Sequence, residues 1–239
     1  MKFSIAAWNM NYRGNGDEKS EAMWRHLEDN PIADIMLLQE CKPPKDFDEG
    51  RLIFSKADDR GEWGTAIFCK DLPIERIDVK ESHKGSLALG EVSLEDTTIT
   101  AISVYGMFER INGVEWASTC MHRIISDITP LLYYDRNTRL FAMGGDYNVS
   151  TQWNDRYATP SHKLIFDRLE DLSLVNATMG GHGRHLHTYK PRKGNREWQN
   201  DYLHLSKRLY QSMNGCDVLT TQLVDTMSDH RPVVAYFEI

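Results

Sequence analysis

Apolar residues along the chain come in short runs with polar ends, and the spacing inside each run separates strands from helices. Lys2–Trp8 is short and largely apolar. Lys19–Asp29 puts Ala22, Met23, His26 and Leu27 on one helical face before stopping at Asn30-Pro31, and Ala33–Gln39 reads as a buried strand. The opening is therefore expected to be a β-α-β unit. Past a loop rich in Pro, Asp and Gly, strand-like runs recur at Arg51–Ser55, Gly64–Cys69, Ile74–Val79, Leu87–Leu94 and Thr97–Tyr105. In the last of these Thr97, Ile99, Ala101 and Ser103 alternate with Thr98, Thr100, Ile102 and Val104, and the whole stretch is expected to form an antiparallel meander.

A long helix follows, because Ala117, Cys120, Met121, Ile124, Ile125, Ile128, Leu131 and Leu132 recur at helical spacing, with Pro130 near its end. Leu140–Gly145 reads as a strand. Thr159-Pro160 supplies an N-cap and an N1 proline for a helix through Leu164, Ile165, Leu169 and Leu172. Further strands fit Leu186–Tyr189, Tyr202–Ser206, Asp217–Thr221 and Val233–Glu238. With no repeat, low-complexity tract or linker, residues 1–239 count as one domain. Two series of strands, each followed by a helix, predict an α/β fold of four layers: two mainly antiparallel sheets packed face to face with helices outside.

Composition narrows the function classes. The 239 residues carry 28 Lys and Arg against 35 Asp and Glu, a formal charge of −7, with 26% charged and 41% hydrophobic residues. Disorder, collagen and coiled coil are excluded. An acidic balance argues against a protein that binds nucleic acid over its whole surface, but it leaves room for a local basic groove beside a carboxylate cluster. Cys41, Cys69, Cys120 and Cys216 are far apart, with no C-x-x-C pair, so neither a zinc site nor a disulfide framework is expected. No apolar stretch approaches the ~20 residues of a membrane span, and the first residues lack a signal-peptide pattern. A cytoplasmic protein with reduced thiols and no membrane association is the expectation.

The polar residues at strand ends carry the chemistry. Asn9 and Asn11 close the first strand, Glu40 ends the run LLQE, Tyr105 ends the meander, and Asp146 and Asn148 follow Gly144-Gly145. Asp201 opens a late strand, and Asp229-His230 precedes the last one. One carboxylate after a strand is usually a turn or cap residue; the joint pattern is what points to a site. Carboxylates and amides without clustered Cys or His suit a hard cation, Mg²⁺ or Mn²⁺.

These residues stand in a series of ordered motifs. WNMN at Trp8–Asn11, LLQE at Leu37–Glu40, GTAIF at Gly64–Phe68, SVYG at Ser103–Gly106 and GGDYNVS at Gly144–Ser150 are followed by HTYKP with WQNDYLHLS across His187–Ser206, and by SDHRPV at Ser228–Val233. In this order, over nearly the whole chain, they resemble the endonuclease/exonuclease/phosphatase (DNase I-like) superfamily, nearest to its exonuclease III and abasic-site endonuclease branch. The resemblance implies a metal-dependent phosphoric ester hydrolase. Glu40 then resembles the principal metal ligand, with Asn9 beside it and Asp229 and Asn11 on the metal side. Asp146 resembles the group that orients or deprotonates the attacking water, Asn148 a donor to the phosphate, and Tyr105 a phosphate-contacting tyrosine. His230 resembles the histidine on the scissile phosphate, with Asp201 as the acid that orients it.

Two departures stand out. Asn11 occupies the place where that branch more often has an aspartate, which removes one metal-side charge, and Tyr105 stands where the DNase I-like branch has a histidine. Gln199 and Asn200 replace the Arg and aliphatic residue that abasic-site enzymes tend to carry, so activity on undamaged strands is expected as well.

Substrate choice rests on the loop Gly180–Arg196, which holds Arg184, Lys190, Arg192, Lys193 and Arg196 with no acid before Glu197. A basic loop immediately before Asp201 suits a polyanionic strand, because phosphate neutralisation and counterion release supply much of nucleic-acid affinity. Lys190, Arg192, Lys193 and Arg196 are candidate phosphate contacts. Tyr189 and Trp198 resemble aromatic residues that line a pocket beside the metal in abasic-site endonucleases, and are candidate contacts for a base or an extruded sugar; packing of the loop onto the sheet is the other reading. A nuclease for DNA or RNA is the leading expectation. A phosphatase or phosphodiesterase for a small phosphorylated metabolite, lipid headgroup or signalling nucleotide would use the same residues, and a non-catalytic binding module on the same scaffold would lack at least one of them.

Overall fold

The computed structural model describes the chain apart from residues 46, 48–49, 58–60, 113, 136–138, 154–160 and 192–197. Strand β1 (Lys2–Asn9) leads through helix α1 (Tyr12–Asp29) into β2 (Ile35–Cys41), which pairs with it in parallel, so the opening β-α-β unit forms as expected. The helix starts earlier than its periodic part. Asn11 caps it by accepting from the Gly14 N–H, and non-helical Gly16 marks a kink before the amphipathic stretch. Period-two alternation sorts the two faces of β1: Ile5 and Ala7 point to the space between the sheets, while Ala6 and Trp8 join Trp24 and Leu27 of α1 in an outer layer.

The expected single meander is split. β3 (Leu52–Lys56) and β4 (Gly64–Cys69) stay in the first sheet, whereas β5 (Ile74–Arg76), β6 (Leu87–Ser93) and β7 (Thr98–Tyr105) build a meander in the second. A short hairpin, β8 (Glu109–Ile111) with β9 (Val114–Trp116), then leads into α2 (Ala117–Asp135), which runs on through Pro130. After β10 (Leu140–Asp146) come a 3₁₀ turn at Thr151–Trp153, α3 (Ser161–Asp171), β11 (Leu174–Asn176) and α4 (Ala177–His182). Thr159-Pro160 lies outside the described residues. The chain ends with β12 (Asp201–Ser206), α5 (Lys207–Gln211), β13 (Met213–Val218), α6 (Gln222–Met227) and β14 (Val233–Glu238).

The two six-stranded sheets have the orders β13-β14-β1-β2-β4-β3 and β11-β12-β10-β7-β6-β5. Each contains one parallel pair, β1 with β2 and β7 with β10, among antiparallel neighbours. Between the sheets Ile5, Ala7, Leu37, Ile67, Ala101, Ala142, Leu203 and Ala235 form the central layer; its alanines let the two backbones approach. Ile124, Ile128, Ile165 and Leu169 of α2 and α3 cover the outer face of the second sheet with Phe141 and Met143. This is the expected four-layer sandwich. Two strand expectations need correction. Among the described residues Leu186–Tyr189 forms no strand; Tyr189 makes isolated bridges to Trp198 and to His230. The strand expected at Asp217–Thr221 lies at Met213–Val218, since Leu219 is held by a single bond to the Pro232 carbonyl and the chain then turns into α6.

Candidate active site

Strand register assembles the site at one end of the sandwich. Asp146 ends β10 opposite Tyr105 on one side and opposite Asp201 on the other, so three polar residues lie abreast across β7, β10 and β12. In the facing sheet Asn9 ends β1 opposite Gln39, with Glu40 next along β2. His230 precedes β14, the other neighbour of β1, and its carbonyl accepts the Trp8 indole N–H at 3.0 Å.

Three of these positions hold a left-handed backbone without being glycine: Asn11 (φ 51), Glu40 (φ 42) and Asn148 (φ 51). Such conformations cost on the order of 1–3 kcal/mol each and persist where the surroundings over-determine them. Two of the three are pinned by hydrogen bonds. The Asn11 N–H donates to Asn9 Oδ1 (2.8 Å), and the Asn148 N–H donates to Asp146 Oδ1 (2.9 Å) while its Nδ2 reaches the Gly106 carbonyl (3.2 Å). Gly106 must be glycine, because a Cβ there would lie 2.1 Å from the Tyr147 carbonyl oxygen.

The electrostatics divide the labour between the buried groups. His230 Nδ1 lies 2.9 Å from Asp201 Oδ2, and His230 Nε2 lies 3.9 Å from Asp146 Oδ2. Burial alone would pull the imidazole pKa down, but the charges of Asp201 and Asp146 outweigh it and hold His230 protonated at neutral pH. Asp146 is raised, chiefly by burial and against the lowering pull of His230; its Oδ2 accepts from Asn9 Nδ2 (2.9 Å) and Asn148 Nδ2 (3.0 Å). Tyr105 donates its phenol proton to Glu40 Oε1 at 2.6 Å, and burial together with Glu40 and Asp146 lifts that phenol well above its ordinary pKa.

The donor set fits a hard cation. Asp146, Asp201 and His230 bring one potential ligand atom each within 4.8 Å of one another. A protonated imidazole has no lone pair to give, so the half-buried Glu40 carboxylate and the Asn9 amide oxygen are the better donors. Asp201 Oδ1 is buried without a hydrogen-bond partner among the described residues, an uncompensated oxygen that a bound cation or substrate proton would relieve.

Asn9, Glu40, Tyr105, Asp146, Asn148, Asp201 and His230 therefore converge at one rim. Asn11 instead spends its side-chain oxygen capping α1. Asp229 lines a groove of about 410 Å³ with Asn11, Asn15, Lys19 and Lys190, and its carbonyl accepts the Lys190 N–H. Tyr189 is half-buried with its ring 4.8 Å from that of His230, so it walls the imidazole, and Trp198 is half-buried and paired to Tyr189 through the backbone. Arg192, Lys193 and Arg196 lie outside the described residues. Two cations went unnoticed in the sequence. Arg13 lies over the Trp63 ring (5.6 Å), which meets Tyr105 edge-on (5.7 Å), and Lys19 borders the groove with Lys190. The signal available was their place after WNMN, Arg13 in the first turn of α1 and Lys19 past the kink at Gly16.

No family model and no curated protein matches the sequence. Solved structures do match the fold. An AP endonuclease from Archaeoglobus fulgidus superposes with a TM-score of 0.70 at 19% identity, covering 99% of both chains. The DNase I-like fold is thereby established. The catalytic domain of Xenopus laevis APE2 gives a TM-score of 0.73 at 18% identity over 98% of this chain and 91% of that one. The 3′ phosphatase NExo from Neisseria, bound to a product DNA hairpin, gives 0.70 at 17% over 99% and 100%. In this DNase I-like sandwich the polar ends of β1, β2, β7, β10 and β12 converge with His230 at one rim.

Proposed function

We propose that the protein is a divalent-metal-dependent phosphodiesterase that hydrolyses DNA or RNA. The observation that carries this reading is the buried line Asp201–His230–Asp146, placed beside Glu40 where the two sheets meet. The fold it shares with AP endonucleases and with a 3′ phosphatase bound to DNA supports the same substrate class.

Glu40 and Asn9 would hold Mg²⁺ or Mn²⁺, which when bound neutralises phosphoryl charge and eases ionisation of water. Asp146, raised by burial and aimed by Asn9 and Asn148, is suited to take a proton from the attacking water. His230, charged and oriented by Asp201 at Nδ1, presents its Nε2–H to a phosphoryl oxygen as negative charge grows. Tyr105 fixes Glu40 through its phenol hydrogen bond and so acts on the metal side before it acts on phosphate. Arg13 and Lys190 are exposed cations at the rim, placed for the backbone of a strand.

The test is a screen of purified protein with Mg²⁺ or Mn²⁺, with and without EDTA, against labelled single- and double-stranded DNA, abasic duplex, RNA and a phosphomonoester. Metal-dependent cleavage of an oligonucleotide is the expected result. Release of phosphate from the monoester with every oligonucleotide intact would replace the nuclease reading by a small-molecule phosphatase.

A further inference from the structure

Between the second sheet and α3, directly behind the turn Asp146–Tyr147–Asn148, lies a polar pair buried among aromatic rings. Tyr147 is 0% exposed and His204 2%. The phenol oxygen lies 3.2 Å from His204 Nδ1 and 3.5 Å from the Met143 carbonyl oxygen, and the two rings stack with centroids 5.6 Å apart at 15°. Tyr202 and Phe166 close the group, at 5.3 Å from Tyr147 and 6.1 Å from His204 respectively. Burial keeps His204 uncharged, with its pKa lowered to about 3. A phenylalanine facing a leucine would fill the same space without burying a hydroxyl and an imidazole, groups that are costly away from water unless they satisfy each other.

The backbone of Tyr147 is what joins the two reacting side chains. Its N–H donates to the Asn200 carbonyl (2.9 Å), the Gly106 N–H donates to the Asp146 carbonyl (2.8 Å), and Asn148 follows in its left-handed conformation. The Tyr147 Cα lies between the peptides that carry Asp146 and Asn148, so the anchorage of its ring bears on where that Cα sits. Beyond these rings His204 borders a cavity of about 520 Å³ lined by Thr151, Phe166, His185 and Tyr202.

We propose that Tyr147 and His204 are positioning residues for hydrolysis, their buried hydrogen bond setting the turn that aims Asp146 and Asn148. This rests on the phosphodiesterase reading of the same site. The pair touches neither metal nor substrate and acts only through the turn. Since a displacement of about 1 Å can cost on the order of 10² in rate, a partial loosening should cost roughly tenfold.

The experiment compares Tyr147→Phe, His204→Leu, the double variant and His204→Gln, which retains an acceptor, in the full chain with Mg²⁺ and a cleavable oligonucleotide. Each of the first two should lower kcat roughly tenfold with KM within about twofold, the double variant should be no worse than either, and His204→Gln should recover part of the loss. Unchanged kcat in folded variants, additive losses, or an effect confined to KM would overturn the proposal. Should the wild-type protein cleave no phosphoester, the phosphodiesterase reading fails by itself, and amide hydrogen exchange then decides the positioning claim. Tyr147→Phe should speed exchange at the Tyr147 and Asn148 amides about tenfold, with Ile5 and Ala101 unaffected, and equal exchange at all four would overturn it.

Discussion

Asp146, Asp201 and His230 are 1, 0 and 6% exposed and hydrogen-bonded into a floor of left-handed turns, whereas Arg13 and Lys190 at the rim are exposed and reach outward from α1 and a loop. The floor stores strain and fixes its dipoles before a substrate arrives, which is how buried groups stabilise charge that develops only during reaction. The rim offers solvent-exposed charges that ionic strength screens over about 8–10 Å. Damage to the floor should therefore appear in turnover and resist salt, and damage to the rim should appear in affinity and follow salt.

The largest expected effect is loss of the metal. EDTA should abolish cleavage, and Glu40→Gln should raise the Mg²⁺ concentration needed for half-maximal rate at least about tenfold while circular dichroism stays unchanged, because a carboxylate is the stronger donor for a hard cation. Full activity of Glu40→Gln at low Mg²⁺ would remove Glu40 from the metal side.

Next come the reacting groups. Asp146→Asn, His230→Ala and Asp201→Ala should each lower kcat by about 10² to 10⁴, with much smaller changes in KM, as expected for groups that act on charge formed in the transition state. The same loss at low and high salt would mark them as floor residues. A change confined to KM in all three would erase the distinction between floor and rim.

The same division explains what could be read from the sequence. Strand ends such as LLQE and GGDYN mark residues of the floor, and it is the order of these motifs, through their resemblance to a known family, that points to the fold and to the site. The sheet to which each strand belongs was not legible: Gly64–Cys69 and Leu87–Ser93 are equally apolar, and nothing local says that the chain changes sheets between them. Leu186–Tyr189 alternates like a strand, yet the Thr188 hydroxyl spends itself on the Asn200 and Asp201 N–H groups, and no ladder forms. The partnership of Tyr147 with His204 was not legible, because it joins residues 57 positions apart. Arg13 escaped notice because its place beside Tyr105 is reached through the ring of Trp63, far away in sequence.

The interior beneath the floor also predicts a pH dependence of stability. His204 titrates near its ordinary value of about 6.5 when unfolded and at about 3 when buried, so between these limits the unfolded chain binds a proton that the native protein refuses. Stability from this group is complete above pH 6.5 and falls as the pH drops, by up to about 1.4 kcal/mol per unit. Denaturant titrations in EDTA at pH 7, 6 and 5 should show a shallower decline for His204→Leu than for wild type. Parallel declines would mean that the imidazole is not held neutral.

Trp198 stands on the border between floor and rim, half-buried and tied by its backbone to Tyr189, which itself packs on His230. If its ring stacks on a base, Trp198→Ala should weaken oligonucleotide binding about tenfold, within the roughly 1–3 kcal/mol of such contacts, and leave the melting temperature unchanged. A variant that melts several degrees lower and binds normally would place the ring in the interior packing instead.

The smallest effect belongs to the rim cations. Lys19 and Lys190 line one groove beside Asn11 and Asp229, and Lys19 Nζ donates to Asn15 Oδ1 at 3.0 Å, which turns its stem along the groove wall. Two carboxylates also line it, but Asp225 is neutralised by Arg231 at 2.9 Å, leaving Asp229 against two lysines. The groove is thus weakly positive and suited to one phosphate of a strand, not to several. Lys19→Ala and Lys190→Ala should each lower affinity only a few-fold at moderate salt, yet each should reduce the slope of log K against log salt by about one, the signature of one lost phosphate contact. Because neither lysine touches the floor, kcat at saturating substrate should stay at the wild-type value. An unchanged slope with reduced kcat would show that the groove serves the reacting groups, and the boundary between chemistry and recognition would then lie farther out than Lys190.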